Sequence, residues 1–158
     1  MTLSKHGEDL IKQFEGLKLD AYRDSAGVWT IGYGSTRYHD DRKVKAGDKL
    51  VNENQADALF KNTLGQYVTA VNDYVTVILS QNQFDALVSF TFNEGAAALR
   101  SSCIMRYIGQ GYYDAAAKAF LNWERVGNNA HMLHNRRMRE KALFETPDPP
   151  DLPPSIAV

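Results

Sequence analysis

The chain has 158 residues, of which 44% are hydrophobic and 23% charged, with 18 basic against 19 acidic side chains. This is the composition of a folded globular domain, and it excludes a disordered, collagen-like or fibrous chain. No apolar run approaches the ~18 residues of a membrane span. The opening residues lack the apolar stretch of a secretory signal. A single cysteine, Cys103, excludes an internal disulfide framework and points to folding in a reducing cytoplasm. A domain this long buries roughly 68–70% of its unfolded surface and needs no metal or staple to fold.

The charge is unevenly placed. Residues 1–94 carry 10 basic and 13 acidic groups, whereas residues 95–145 carry 8 and 4, a net +4. Such an excess suits an anionic polymer, nucleic acid or cell wall, or else a solvated helical face.

Leu3, Leu10, Ile11 and Phe14 recur at helical spacing and predict a helix over 3–15, stopped by Gly16. Residues 17–38 change character. Tyr22, Val28, Trp29, Thr30, Ile31 and Tyr33 favour strands, and Asp24-Ser25-Ala26-Gly27 is a turn. A small antiparallel sheet is predicted there, followed by a polar loop over 39–48. Asn52 with Gln55 marks a helix start, and that helix runs to about Tyr74. Ser80 with Gln83 marks another, with Phe84, Leu87, Val88, Thr91 and Phe92 on one face and Gly95 at its end. A short helix is predicted from Ser102 to about Gly109, an Ala-rich one from Tyr112 to Arg125, and a last one from about Asn135 to Phe144. All 5 prolines lie in the tail after it, which is extended or disordered. Removing residues 147–158 is expected to leave catalysis and melting temperature largely unchanged.

Helix, small sheet, then many helices is an α+β order with segregated elements. It predicts a small antiparallel β lobe packed beside a larger helical lobe, with a ligand cleft between them. Residues 1–146 then form one catalytic domain, with the N-terminal helix and β lobe reaching about residue 50 and the helical lobe spanning 52–145. Residues 147–158 form the Pro-rich tail.

Glu15 ends the first helix, Asp24 lies nine residues on in the hairpin turn, and Thr30 follows six later on a strand. Two carboxyl groups flanking a scissile bond, with a hydroxyl to hold water, suit hydrolysis of a glycosidic linkage. With 7 Glu, 12 Asp and 8 Thr in the chain, this spacing arises by chance about 0.03 times. Alone, each residue has a plainer reading: a helix end, a turn former and a strand former.

The run FEGLKLDAYRDSAGVWTIGYGST over residues 14–36 resembles the catalytic segment of the phage-type lysozymes, the endolysins of glycoside hydrolase family 24. The resemblance continues through LSQNQFDALVSFTFNEGAAAL at 79–99, RSSCIMR at 100–106, the AAKAFLNW run ending in Trp123, and NRRMREKALF at 135–144. It implies a lysozyme-like fold and cleavage of the β-1,4 bond from N-acetylmuramic acid to N-acetylglucosamine in peptidoglycan, with inversion in the best-known members. Glu15 matches the general acid, Asp24 the carboxylate that positions or activates water, and Thr30 the hydroxyl that holds that water. Phe92 and Asn93 match the cleft wall, Ser102 a substrate-contacting position, and Arg136 the arginine that pairs with the catalytic glutamate. Many relatives carry His where this chain has Ser35, which puts a stabilising ion pair in doubt. The segment GNNAHMLH at 127–134 also departs from the pattern.

The resemblance further implies peptidoglycan as partner, no cofactor, no nucleic acid, no membrane insertion and a monomeric state. It implies accumulation in the host cytoplasm and action on the wall after release by a phage holin. A contrasting reading is an anionic-polymer binder using Arg125, Arg136, Arg137, Arg139 and Lys141. It leaves the Glu-Asp-Thr segment unexplained. A lytic transglycosylase would cut the same bond without water, and Asp24 with Thr30 argues for hydrolysis instead. His131, His134 and Glu124 lack the further support a zinc site needs, and Cys103 reads as a small core residue.

Overall fold

A computed structural model describes residues 1–150 and the backbone of 155–156. It has the expected α+β order: helix α1 (Lys5–Glu15), strands β1 (Lys18–Arg23) and β2 (Trp29–Gly32), then helix α2 (Glu53–Tyr74). Strand β3 (Ile78–Leu79) and helices α3 (Gln81–Glu94), α4 (Ala96–Ser101), α5 (Cys103–Gly109), α6 (Tyr113–Ala119) and α7 (His134–Glu145) follow, with a 3-10 turn at Phe120–Trp123 before α7. Helix α4 was not anticipated, and the predicted 112–125 helix is split between α6 and the 3-10 turn. The chain divides into two compact units, residues 9–66 and residues 1–8 with 67–158.

In residues 9–66 the sheet is the antiparallel pair β1–β2, with Tyr22 opposite Thr30, Arg23 opposite Trp29, and a bulge between Lys18 and Tyr22. The polar 39–50 stretch folds back along β1. Ala21 N–H donates to Asp48 O and Leu50 N–H to Leu19 O. The resulting core is Ile31, Val44 and Leu59, flanked by Ala21, Trp29, Tyr38 and Leu50. Lys12 ties α1 to α2 through Asp57 at 2.7 Å, its ammonium 5.0 Å from the Tyr33 ring centre. Ser35 is fully buried and shares a 2.8 Å hydrogen bond with Thr63 of α2. The position where an ion pair was in doubt thus carries a neutral hydroxyl pair.

In the other unit α3 is buried without interruption from Phe84 to Phe92. A helix enclosed on all sides needs its polar groups satisfied internally, and its N-terminus shows how. Ser80 accepts from Gln83 N–H and Gln83 reaches back to Ser80 N–H, the capping box read from the sequence. The two remaining N–H groups, of Gln81 and Asn82, donate to Asp148 at 2.7 and 2.9 Å. Asn82 in turn donates to the carbonyls of Thr146 and Pro147. Asp85 binds Ser4 at the entry to α1 through that residue's N–H and hydroxyl, and burial pushes its carboxyl up. Phe90 meets Phe120 at 5.7 Å and Trp123 at 5.5 Å, both near edge-on, and Phe120 meets Phe144 at 5.5 Å.

Of the eight basic residues in 95–145, Arg136 and Arg137 are buried, whereas Arg100, Arg106, Lys118, Arg125 and Arg139 are exposed, so the basic third keeps a solvated face and turns two arginines inward. The start of the tail is also more than an appendage, since Asp148 completes the α3 cap. Strand β4 (Ser155–Ile156) pairs antiparallel with β3, whereas residues 151–154 and 157–158 lie outside the described residues. Replacing Asp148 by Ala is therefore expected to cost about 1 kcal/mol, roughly 2–4 °C in Tm for a chain of this size. A calorimetric Tm equal to that of the parent chain would show that the cap contributes nothing.

Candidate active site

Glu15 is the last residue of α1, so its side chain leaves the helix where the backbone turns into the sheet. Gly16 makes that turn in the left-handed region, at φ 69°, while still donating to Lys12 O. Gly34 faces the Glu15 carboxyl. It too has positive φ, 82°, and a Cβ built there would stand 3.0 Å from the carboxyl carbon and Oε2. Only a glycine leaves room for the carboxyl in that place.

Asp24 follows the last residue of β1 and closes the hairpin. Its N–H donates to Val28 O, and its carbonyl accepts from Gly27 N–H. Its side-chain Oδ1 accepts from the backbone N–H groups of Ala26 and Val28, both at 2.9 Å. One carboxylate oxygen therefore shapes the turn, and Oδ2 is left for other chemistry. Thr30 lies two residues beyond Val28 on β2 and is 3% exposed. Its hydroxyl donates to Val28 O at 2.9 Å, which leaves its lone pairs to accept.

The structure adds Tyr22 to this neighbourhood. Tyr22 stands directly opposite Thr30 across the sheet. Burial raises its phenol above the ordinary range, and the charges of Glu15 and Asp24 both raise it further. One phenol thus feels both carboxylates. The sequence showed Tyr22 only as a strand former; the available signal was its place two residues before Asp24 in a period-two strand.

The other expected residues lie in the second unit. Phe92 is 9% exposed, its ring edge-on to Tyr67 at 5.2 Å. Asn93 accepts a hydrogen bond from Arg137. Ser102 is buried and serves as N-cap of α5, donating to Leu99 O at 2.7 Å and accepting from Met105 N–H at 3.3 Å. Arg136 donates to Glu140 at 3.3 Å and to Ser89 O at 3.1 Å. Lys141 pairs with Glu145 at 2.7 Å. Arg136, Arg137 and Lys141, all considered for polymer binding, therefore have carboxylate partners within the chain, because Arg136 and Arg137 both face Glu140. His134 and His131 approach Glu124 at 2.7 and 3.5 Å, and the His134 hydrogen bond holds that carboxyl below its usual range.

Comparison with known proteins gives a consistent result. The family profile described as "Phage lysozyme" matches residues 12–140. The endolysin of Salmonella phage P22 is 40% identical over 144 residues, covering 91% of this chain and 98% of that protein. The endolysin of Acyrthosiphon pisum secondary endosymbiont phage 1 is 37% identical, covering 92% of this chain and 99% of its own length. Among solved structures, the endolysin from Escherichia coli O157:H7 phage FAHEc1 superposes with a TM-score of 0.84 at 39% identity, over 92% of this chain and 94% of that one. No helix among the described residues is long and apolar enough to cross a membrane.

Two substitutions separate position from chemistry. Asp24→Asn keeps an Oδ1 for the turn and is expected to preserve Tm while lowering kcat about 100-fold or more. Asp24→Ala should lose both, and equal Tm losses for the two variants would deny the turn its role. Gly34→Ala places a methyl against the Glu15 carboxyl and strains a positive φ. Its expected cost is roughly 1–3 kcal/mol, with a fall of at least tenfold in kcat/KM. Unchanged turbidity clearance by Gly34→Ala would show that this contact does not position Glu15.

Proposed function

This chain belongs to the phage lysozyme family and is a cell-wall-lysing enzyme of the muramidase type, and from that premise we propose that it hydrolyses the β-1,4 bond from N-acetylmuramic acid to N-acetylglucosamine in bacterial peptidoglycan. In this reading Glu15 gives its proton to the leaving glycosidic oxygen. A water molecule attacks the anomeric carbon as that bond breaks. Asp24 Oδ2 takes the proton the water releases, and Thr30 accepts a hydrogen bond from the same water. The products are a hemiacetal and a free hydroxyl, and proton exchange with solvent restores both carboxyl groups.

The observation that carries this reading is the hairpin carboxylate of Asp24, whose Oδ1 is held by two backbone N–H groups while its other oxygen stays available. Thr30, its hydroxyl bonded to Val28 O, and Glu15, seated against Gly34 at the helix end, support it further. Phe92, Asn93 and Ser102 are assigned to substrate, with Ser102 acting mainly through the helix it caps. Arg136 supplies fixed positive charge. Residues 1–146 form the catalytic part. The enzyme works as a monomer without cofactor or nucleic-acid partner, accumulates in the host cytoplasm and reaches the wall after release by a holin.

Digestion of purified peptidoglycan, with mass spectrometry of the released ends, tests the reaction. Reducing muramic ends are expected from the parent chain, with Glu15→Gln at least 100-fold slower and equally stable. Anhydro-muramic ends would assign a transglycosylase instead, and full activity of Glu15→Gln would remove the acid from its role.

A further inference from the structure

Arg137 is a guanidinium with no exposed surface, and its hydrogen bonds point in fixed directions. Nε donates to Trp123 O at 2.8 Å, one terminal nitrogen to Glu140 Oε1 at 2.6 Å, and the other to Glu94 Oε1 at 2.5 Å and to Asn93 Oδ1. Its plane also lies 5.0 Å from the Phe90 ring centre. Glu140, equally buried, is held from its other side by the Ser89 hydroxyl at 2.5 Å and by Arg136. A guanidinium can only donate. Asn93 must therefore turn its carbonyl oxygen inward to Arg137 and its NH2 away. Asn93 is half-buried, and its Nδ2 has no hydrogen-bond partner among the described residues. No described side-chain nitrogen or oxygen is both buried and unpartnered, so that NH2 is open to solvent.

We propose that Arg137 is a positioning residue that locks the Asn93 amide as an outward-facing double donor, which reads an acceptor oxygen of the glycan. The acceptor is an acetamido carbonyl or a ring hydroxyl. The proposal rests on the cell-wall reading above and adds to it the polarity of one contact. The lock arises because the alternative amide orientation would exchange a hydrogen bond for an NH2 donor set against a buried cation, which is costly away from water.

Binding of tri-N-acetylchitotriose and of its de-N-acetylated counterpart, followed by NMR on nitrogen-15-labelled protein, tests this without requiring turnover. The Asn93 Nδ2 resonances are expected to shift on titration. Asn93→Asp replaces the donor by an acceptor of equal size that still pairs with Arg137. It should raise Kd about tenfold with Tm unchanged, the factor that one hydrogen bond carries, and Asn93→Gln should restore part of the loss. A loss confined to the acetylated trimer identifies the acetamido carbonyl, and a loss for both identifies a hydroxyl. Arg137→Lys keeps a cation but not the fork, and should weaken binding by a similar factor. Because it acts through Asn93, the double variant should bind no more weakly than Asn93→Asp. Should Arg137→Lys fail to fold, the Asn93 pair decides. Wild-type Kd for both trimers in Asn93→Asp, no binding by the parent chain, or multiplied losses in the double variant would overturn the proposal. Peptidoglycan digestion by an Asn93→Asp chain whose Kd is unchanged would leave the muramidase reading standing. Asn93-dependent binding without digestion would do the reverse.

Discussion

Two guanidiniums and a carboxylate withdrawn from water are the constraint on which the larger unit depends. Effective desolvation costs several kcal/mol per ion, so the arrangement persists only because hydrogen bonds repay it. Arg137 makes four, to Glu140, Glu94, Asn93 and the Trp123 carbonyl, and Glu140 accepts from Arg137, Arg136 and Ser89. These partners come from α3, α7 and the 3-10 turn between them. The register of α7 against α3 is therefore set by ionic geometry as well as by the Phe90, Phe120 and Phe144 packing around it. A slip of one residue along α7 would carry a charged fork into an apolar wall.

Residues 9–66 solve a different problem, how to hold two carboxyl groups and a hydroxyl on a helix end and a short hairpin without a large core. Glu15 is set by a helix that ends beside it, and Gly34 gives it room. Asp24 divides its two oxygens between turn and solvent. Thr30 is placed by its pairing with Tyr22 and by the carbonyl of Val28. The hairpin is short, so each of these positions lies within a few bonds of a backbone hydrogen bond. That gives precision of the kind acid–base chemistry needs.

Much of this was legible before the structure. The Ser80–Gln83 cap of α3, the Asn52 start of α2, the Ser102 cap of α5 and the Asp24 turn are local signals, each fixed by residues three or four apart. Glu15, Asp24 and Thr30 could be singled out because their spacing is rare by chance and falls in a run that resembles the phage-type lysozymes, whereas each alone reads as a helix end, a turn former or a strand former. Tyr22 could not, since a strand pattern does not say which side chains meet across a sheet. Helix α4 was missed because Gly95 reads as a stop, and the chain simply starts again after it. The role of Asp148 was hidden because it lies 66 residues from Asn82.

The sequence by itself determined the α+β order, the capped starts of α2, α3 and α5, and the hairpin with Asp24 and Thr30, because propensity, capping and turn chemistry act over a few neighbouring residues. Only the tertiary structure decided that the basic C-terminal segment turns two of its arginines inward and that the tail caps a helix. It also decided which end of the Asn93 amide faces out. Those outcomes depend on burial and on partners tens of residues away, and the energy of a charge or a polar group is set by what surrounds it.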